Sequence, residues 1–426
     1  MKEPQELKDL TKEELISIIM DLQKRLLAYE NAHTPPSQQR RYPRREPTGN
    51  PPGASIGHKG TTRKSPEPTE TKTLHLDKCP DCNNALKLKC IKERIIEEIP
   101  EPQQLRVIKF FIPHYHCRNC NKKIIANDPE LPKQGNLGNN LQAQISLMRY
   151  EDRLPIRKIA NTLNRQYNLQ LTPATILDVT RRVADSLAPK YNSIKKEISQ
   201  SPHVNADETG AKLNGKSHWF WTFINSKSVF FLLTRRREHK VVKEVLGKNY
   251  KGILTCDGLK QYQKVVKNIQ RCWAHLLREA KFLAQKHEEQ AKTTYNSLCE
   301  LFKEIKKVTI KTPKDIREEI YGNCIKKMQL FIGIANKYKH LKKLAVTMKN
   351  GLHQWFTCIL HPEIEPTNNR AERELREFVV QRKIFGTFRS ERGLRITEVI
   401  MSLLATWRLR NLNTYNMLRT SLSNYS

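Results

Sequence analysis

Three acidic residues in three separate local contexts constrain this chain most. Asp207 stands in His203-Val-Asn-Ala-Asp-Glu-Thr-Gly210, Asp257 in Ile253-Leu-Thr-Cys-Asp-Gly258, and Glu372 in Asn368-Asn-Arg-Ala-Glu-Arg373. The first two close short apolar runs of strand character, and the third opens an amphipathic segment of helical character. Carboxylates gathered from two strands and a helix repel one another unless divalent cations neutralise them. Two such cations suit in-line attack on a phosphodiester. The surrounding chain carries 76 Lys+Arg against 43 Asp+Glu, a net charge of +33. That balance points to a polyanion partner, nucleic acid. A nonspecifically basic or ribosome-associated protein is the competing reading.

A length of 426 residues predicts two or more domains, and a hydrophobic share of 38% predicts substantial polar or extended parts. The N-terminus, Met-Lys-Glu-Pro-Gln-Glu, lacks the apolar core of a signal peptide. No run approaches the ~18 apolar residues of a membrane span. A cytoplasmic, nucleoid-associated protein with no membrane partner is expected. In a reducing cytosol, paired cysteines bind metal more often than they form disulfides.

Residues 1–32 predict a short coiled-coil helix. Thr11 and Glu14 have the spacing of a capping box, and Leu15, Ile18, Leu22 and Tyr29, with Leu26, recur near heptad spacing. Self-association and packing on the same chain both fit so short a repeat. Residues 33–72 read as a flexible basic linker, in which Gly57-His-Lys-Gly-Thr-Thr-Arg63 either touches phosphates or is a solvated tether.

Residues 73–130 hold Cys79-Pro-Asp-Cys82 and Cys117-Arg-Asn-Cys120. Two Cys-x-x-Cys knuckles a hairpin apart predict a four-cysteine zinc ribbon holding one structural Zn²⁺. Ile91–Ile99 and Leu105–Ile112 read as the two strands between them. Residues 140–200 predict a helix-turn-helix-like DNA-binding region: an apolar stripe over Leu154–Leu163, then a helix capped by Thr172 with Pro173 in its first turn. Ile176, Val179, Val183 and Leu187 form the second helix's apolar face, with Arg181 and Arg182 expected exposed as DNA contacts. A helical connector that reads no bases is the alternative.

From 201 to 287 the pattern is strand, strand, strand, helix, strand, the opening of an RNase H-like fold. In that order the first and fourth strands are neighbours, which brings Asp207 and Asp257 together. Residues 288–350 are Lys-rich and read as an inserted helical subdomain, 351–410 as the second part of the core, and 411–426 as a C-terminal tail. The expected fold is thus α/β: an RNase H-like catalytic core with an inserted helical subdomain, preceded by a zinc ribbon and helix-turn-helix-like helices.

Each acid has a rival. Glu208 adjoins Asp207, Asp257 before Gly258 is an ordinary turn pair, and Glu374 competes with Glu372. Residues two apart on a helix point to roughly opposite faces. Arg370 with Glu374 and Arg373 with Glu377 have the spacing of surface ion pairs, whereas Glu372 shares a face with Leu375 and Val379. Cys272-Trp-Ala-His275 either shapes the site floor or packs in the core. Arg382, Lys383, Arg389 and Arg392 follow Glu372 as candidate phosphate clamps.

Asp207-Glu-Thr-Gly210, Asp257-Gly258, Cys272-Trp-Ala-His-Leu-Leu-Arg278, Asn368-Asn-Arg-Ala-Glu-Arg-Glu-Leu-Arg376 and Ser390-Glu-Arg-Gly393 together resemble DDE transposases of the insertion-sequence-66 family. Pro35-Pro-Ser37, Gly57–Arg63, the four-cysteine element and Asp152-Arg-Leu-Pro155 stand upstream in the family's order, so the resemblance covers nearly the whole chain. The segment between Thr209 and His218 lacks longer insertions seen in some relatives. The resemblance implies that Asp207, Asp257 and Glu372 are the catalytic triad, holding two Mg²⁺ or Mn²⁺ ions. It implies cutting and joining at the terminal inverted repeats of a mobile element. Element ends and target DNA are the expected double-stranded partners, handled by a homo-oligomer, at least a dimer in synapsis; a need for accessory element-encoded proteins stays open. A non-catalytic zinc-containing DNA-binding relic and an RNase H-like nuclease without strand transfer are the other readings.

Overall fold

The computed structural model describes residues 11–29, 67–78, 80–96, 105–286 and 289–423. Most of the 33–72 linker, the Pro35–Ser37 and Gly57–Arg63 motifs and Cys79 lie outside them. The chain divides into two compact units, Pro36–Arg106 and the remainder.

In the first unit the described residues are exposed and almost without regular structure, apart from a bridge between Lys78 and Ala85. The strands expected at Ile91–Ile99 and Leu105–Ile112 are absent wherever those segments are described. Ile91 is 79% exposed and Val107 89%. β-branched composition favours a strand only where a neighbour buries one face, and none does so here. The hairpin lies further on, where β1 (His114–Cys117) pairs antiparallel with β2 (Lys122–Ile125) across the second Cys pair.

In the second unit, α1 (Lys12–Tyr29) starts at the capping box: Glu14 N–H donates to Thr11 Oγ1 (3.3 Å) and Thr11 N–H to Glu14 (2.9 Å). Ile16, Ile19, Met20 and Leu22 on it are exposed. Three helices follow the hairpin: α2 (Asn139–Tyr150), α3 (Ile156–Tyr167) and α4 (Pro173–Ser199). Asn168, left-handed at φ 51°, ends α3. Thr172 Oγ1 accepts from Thr175 N–H to cap α4.

The sheet comes next. β3 (His203–Leu213), β4 (Lys216–Ile224) and β5 (Val229–Thr234) form an antiparallel meander. The β3–β4 turn is Asn214-Gly215, both at positive φ, the two-residue hairpin loop that suits strand twist. After α5 (His239–Leu246), β6 (Ile253–Cys256) pairs parallel with β3; after α6 (Lys260–Gln263), β7 (Ile269–Arg271) pairs parallel with β6. The order is β5-β4-β3-β6-β7, a mixed sheet in an α/β fold.

A second hydrophobic core runs from Trp273 to Ile359, wider than the 288–350 span that Lys-rich composition suggested. It is built by α7 (Trp273–Lys286), α8 (Glu289–Lys307), α9 (Lys314–Asn336), α10 (Lys342–Asn350) and α11 (Thr357–Leu360). Leu298, Leu301, Ile305, Met328, Ile332 and Leu344 are buried there. The chain then returns through α12 (Asn369–Phe385), packed on β3 and β4 with Phe378 stacked on Phe220, and α13 (Glu391–Leu409). The tail carries α14 (Thr414–Leu422) rather than a bare terminus: Asn413 caps it and Leu418 and Leu422, one turn apart, bury against the body.

α13 also closes the sheet edge. Glu398, Ser402 and Thr406 recur every four residues, about 6 Å along a helix; Val229, Phe231 and Leu233 recur every two, about 6.6 Å along a strand. The two rows meet. Val229 N–H donates to Thr406 Oγ1 (3.0 Å), Phe231 N–H to Ser402 Oγ (2.9 Å) and Leu233 N–H to Glu398 Oε1 (2.6 Å). The edge N–H groups of β5 are thereby used up and offer no template to another chain. α2, α3 and α4 share this sheet's hydrophobic core, so the expected helix-turn-helix region is part of the core's wall.

Candidate active site

At one end of the β3–β6 pair the charges of Asp257 and Glu372 act on Asp207. β3 runs on past Asp207 to Leu213, so Asp207 lies within the strand rather than at its end. The parallel register closes with Asn205 opposite Thr255. Asp207 and Asp257 each lie two residues beyond that pair, Asp207 still within β3 and Asp257 just past the end of β6. Asp257 Oδ1 accepts from Leu259 N–H (2.9 Å), fixing its turn, and Asp207 Oδ1 accepts from Glu208 N–H (2.9 Å). Each carboxylate keeps its second oxygen for a further partner.

Glu372 arrives from the first turn of α12. The start of that helix is pinned by Asn368, which is fully buried. Asn368 Nδ2 donates to Ala206 O (2.8 Å), its Oδ1 accepts from Asn205 Nδ2 (3.1 Å), and its N–H donates to Cys272 Sγ (3.1 Å). Ala206 is the residue before Asp207, so one side chain sets the helix against the strand at the acids. This role was not read from sequence, because it depends on contacts across more than 160 positions.

Electrostatics records the proximity. Asp207's carboxyl is held well above the usual carboxylate range, first by burial and then by the charges of Glu208, Asp257 and Glu372. Glu208 is also pushed up by burial and by Asp257, and pulled back by Tyr262 and Arg237. Tyr262 OH and both Arg237 donors hold it, and the Arg237 guanidinium lies 4.6 Å from the Trp219 ring centre. Glu208 is therefore saturated with protein partners, whereas Asp207 and Asp257 are not. An all-oxygen set under mutual repulsion is the donor chemistry of a hard divalent cation.

Cys272-Trp-Ala-His275 divides between the helical core and an open cleft. Trp273 packs with Trp355, Phe356 and Phe302 in the helical core. Cys272 and His275 line an open cleft of about 630 Å³ together with Asp257, Lys260, Lys264, Arg271 and Glu279. His275 Nδ1 stands 3.5 Å from Glu372 Oε1, and Arg278 3.9 Å from Oε2. Burial lifts the Cys272 thiol to about 11, although N–H groups of Asn368, His275 and Ala274 point at it.

The surface pairs expected on α12 are replaced. Glu377 binds Arg153 through two bonds (2.8 and 2.7 Å), and Arg370 donates to Asn225 O. Glu374 is half-buried, and burial raises its carboxyl. Of the candidate DNA contacts, Lys383, Arg389 and Arg392 are exposed. Arg181 is engaged by Asp178 and Asp185. Arg182, 12% exposed, binds Gln134 O and Asp178. Arg382 donates to Gly210 O. Each of these three already has a partner within the protein, so none is as free as expected.

The zinc candidates fall in both units. Cys82 and Cys120 are exposed and Cys117 is half-buried. The Cys117 thiol is drawn down, first by the Cys120 N–H. Asn83 and Asn121, each following the second cysteine of its pair, are left-handed at φ 60° and 52°. A left-handed asparagine thus follows both Cys-x-x-Cys pairs.

The chain is thus a strongly basic α/β protein with acidic side chains acting on one another beside its mixed sheet. Residues 134–396 match the model of the transposase IS66 family, and residues 77–121 match the zinc-finger binding domain of transposase IS66. The chain belongs to the IS66 transposase family. No curated protein matches it.

Proposed function

We propose that this chain is a DDE transposase that binds the terminal inverted repeats of an insertion sequence and catalyses metal-dependent strand cleavage and strand transfer. The observation that carries the reading is the meeting of the Asp207, Asp257 and Glu372 charges beside β3 and β6. The sheet order, with the first and fourth core strands adjacent, supports an RNase H-like core. Asp207, Asp257 and Glu372 would hold two Mg²⁺ or Mn²⁺ ions, which supply activation of the attacking oxygen and stabilisation of the leaving one. Water attacks first, breaking the P–O3′ bond at the element end to free a 3′-hydroxyl and leave a 5′-phosphate on the flank; that hydroxyl then attacks a target phosphodiester, whose own 3′-oxygen leaves as a hydroxyl. No Tyr or Ser nucleophile is needed. Asn368 keeps Glu372 in place, and the Arg237–Tyr262 pair holds Glu208 out of the reaction.

Cys79, Cys82, Cys117 and Cys120 are the ligand set for one structural Zn²⁺. Lys383, Arg389 and Arg392 remain as phosphate contacts; Arg181, Arg182 and Arg382 are structural. Synapsis of two element ends requires at least a dimer, and the exposed apolar residues of α1 offer a contact for it. No helix among the described residues is long and apolar enough to cross a membrane. The test is cleavage of a labelled duplex carrying the inverted repeat that flanks the coding region. Nicking at the repeat with Mg²⁺ or Mn²⁺, and none with EDTA, supports the reading. Binding without cleavage in either metal returns the chain to the non-catalytic DNA-binding class.

A further inference from the structure

Cys272, His275 and Glu372 come from two helix starts that are tied together. Cys272 precedes α7, His275 lies in its first turn, and Glu372 lies in the first turn of α12. The Asn368 N–H bond to Cys272 Sγ joins the two. One ligand atom from each residue lies within 4.8 Å of the others. His275 Nδ1 and Glu372 Oε1 are already 3.5 Å apart. Tetrahedral Zn²⁺, with bonds of ~2.0–2.3 Å, sets its ligand atoms about 3.3–3.6 Å apart. A side-chain adjustment of about 1 Å therefore closes the set around an ion of that size.

The donors decide which ion. Thiolate and imidazole select thiophilic or borderline cations, whereas Mg²⁺ prefers oxygen and retains water. Asp207 and Asp257 form an all-oxygen pair; Cys272 and His275 form a soft pair; Glu372 stands within reach of both. Three protein ligands leave a fourth position for water, and two of the three, Cys272 and His275, line the open cleft. Arg278 works against a cation here, 3.9 Å from Glu372 Oε2, but its side chain is 45% exposed and has room to turn outward.

We propose that Cys272, His275 and Glu372 bind a thiophilic divalent cation, Zn²⁺ or its Co²⁺ substitute, and that its binding withdraws Glu372 from Asp207 and Asp257 and stops cleavage. Binding releases the thiol proton to solvent and changes no oxidation state. The inhibitory half rests on Glu372 acting in cleavage; the binding half does not.

The experiment uses the full chain with its zinc finger filled. Zinc content is measured by competition with a chromophoric chelator, and added Co²⁺ is followed by its thiolate charge-transfer absorption. The wild type should take up one Zn²⁺ more per chain than Cys272→Ser or His275→Ala. Its cobalt band should vanish in Cys272→Ser and shift in Glu372→Gln. Using two variants from different positions keeps one folding defect from deciding the result. Equal zinc content in all proteins, or a cobalt band indifferent to these changes, overturns the site. Mg²⁺-dependent cleavage is then compared with and without Zn²⁺ within each protein. The wild-type rate should fall about tenfold or more, and the Cys272→Ser ratio should stay near one. Extra zinc with an unchanged wild-type ratio overturns the switch. A wild type that never cleaves refutes the transposase reading, and the zinc count then decides the site by itself.

Discussion

Replacing Asn368 by Ala probes the joint on which the proposed site depends. The side chain is fully buried and bonds both Ala206 O and Asn205 Nδ2. Truncation strands one buried acceptor and one buried donor, each costing about 1–3 kcal/mol, so a loss of roughly 2–5 kcal/mol is expected. The backbone bond from residue 368 to Cys272 Sγ survives the change. A domain in the upper part of the ordinary range of about 5–15 kcal/mol therefore stays folded at 25 °C. Glu372 lies one turn further along and loses its fixed distance from β3. A displacement of about 1 Å in a reacting group costs on the order of 10²-fold in rate. Urea unfolding with linear extrapolation measures the first effect, and cleavage of a labelled element end under conditions where the variant is fully folded measures the second. A loss under about 1 kcal/mol together with wild-type cleavage would refute the bracket argument.

Three further outcomes follow from the same structure. Burial raises Glu398 to about 7 from its ordinary 4.5, so its contribution to stability is fully present below 4.5 and is lost as pH rises through 7. That difference is on the order of 3 kcal/mol, and Glu398→Gln should flatten the corresponding part of the stability–pH profile measured by urea unfolding. Arg389→Ala with Arg392→Ala should weaken DNA binding and reduce its salt slope, whereas Arg182→Ala should lower stability and leave the slope unchanged, as titration at several salt concentrations would reveal. Cys117→Ser should release zinc from freshly purified, reduced protein, read by elemental analysis; full retention would remove Cys117 from the ligand set.

The three acids were legible because each sits in a short segment whose local pattern fixes its element. Ile253–Cys256 is an apolar run of strand length, and Asn369–Phe385 carries helical periodicity from its first turn. The strand order placed Asp207 beside Asp257, and the charges of Asp257 and Glu372 act on Asp207. Asn214-Gly215 also announced a two-residue hairpin, and overlooking it ended β3 too early. Other features depended on distant partners. Glu377 binds Arg153 from the far side of the sequence rather than Arg373 one turn away. Ile91 and Val107 have strand-forming side chains but no neighbour to bury them. Glu398, Ser402 and Thr406 read as scattered polar residues in an apolar helix until β5 supplies three edge N–H groups at matching intervals. Arg181 and Arg182 are less exposed than expected, because Asp178, three and four residues earlier, pairs with both.

The central claim is that Asp207, Asp257 and Glu372, and not their acidic neighbours, carry the chemistry. The direct measurement is Mg²⁺-dependent cleavage of a labelled element end by Asp207→Asn, Asp257→Asn, Glu372→Gln and Glu374→Gln, with DNA binding measured alongside. The first three should lose about 10³-fold or more while still binding DNA. Glu374→Gln should cleave near the wild-type rate, since it removes a half-buried charge that is not among those acting on Asp207. An active Glu372→Gln beside an inactive Glu374→Gln would contradict the account and move the third acid to the other face of α12.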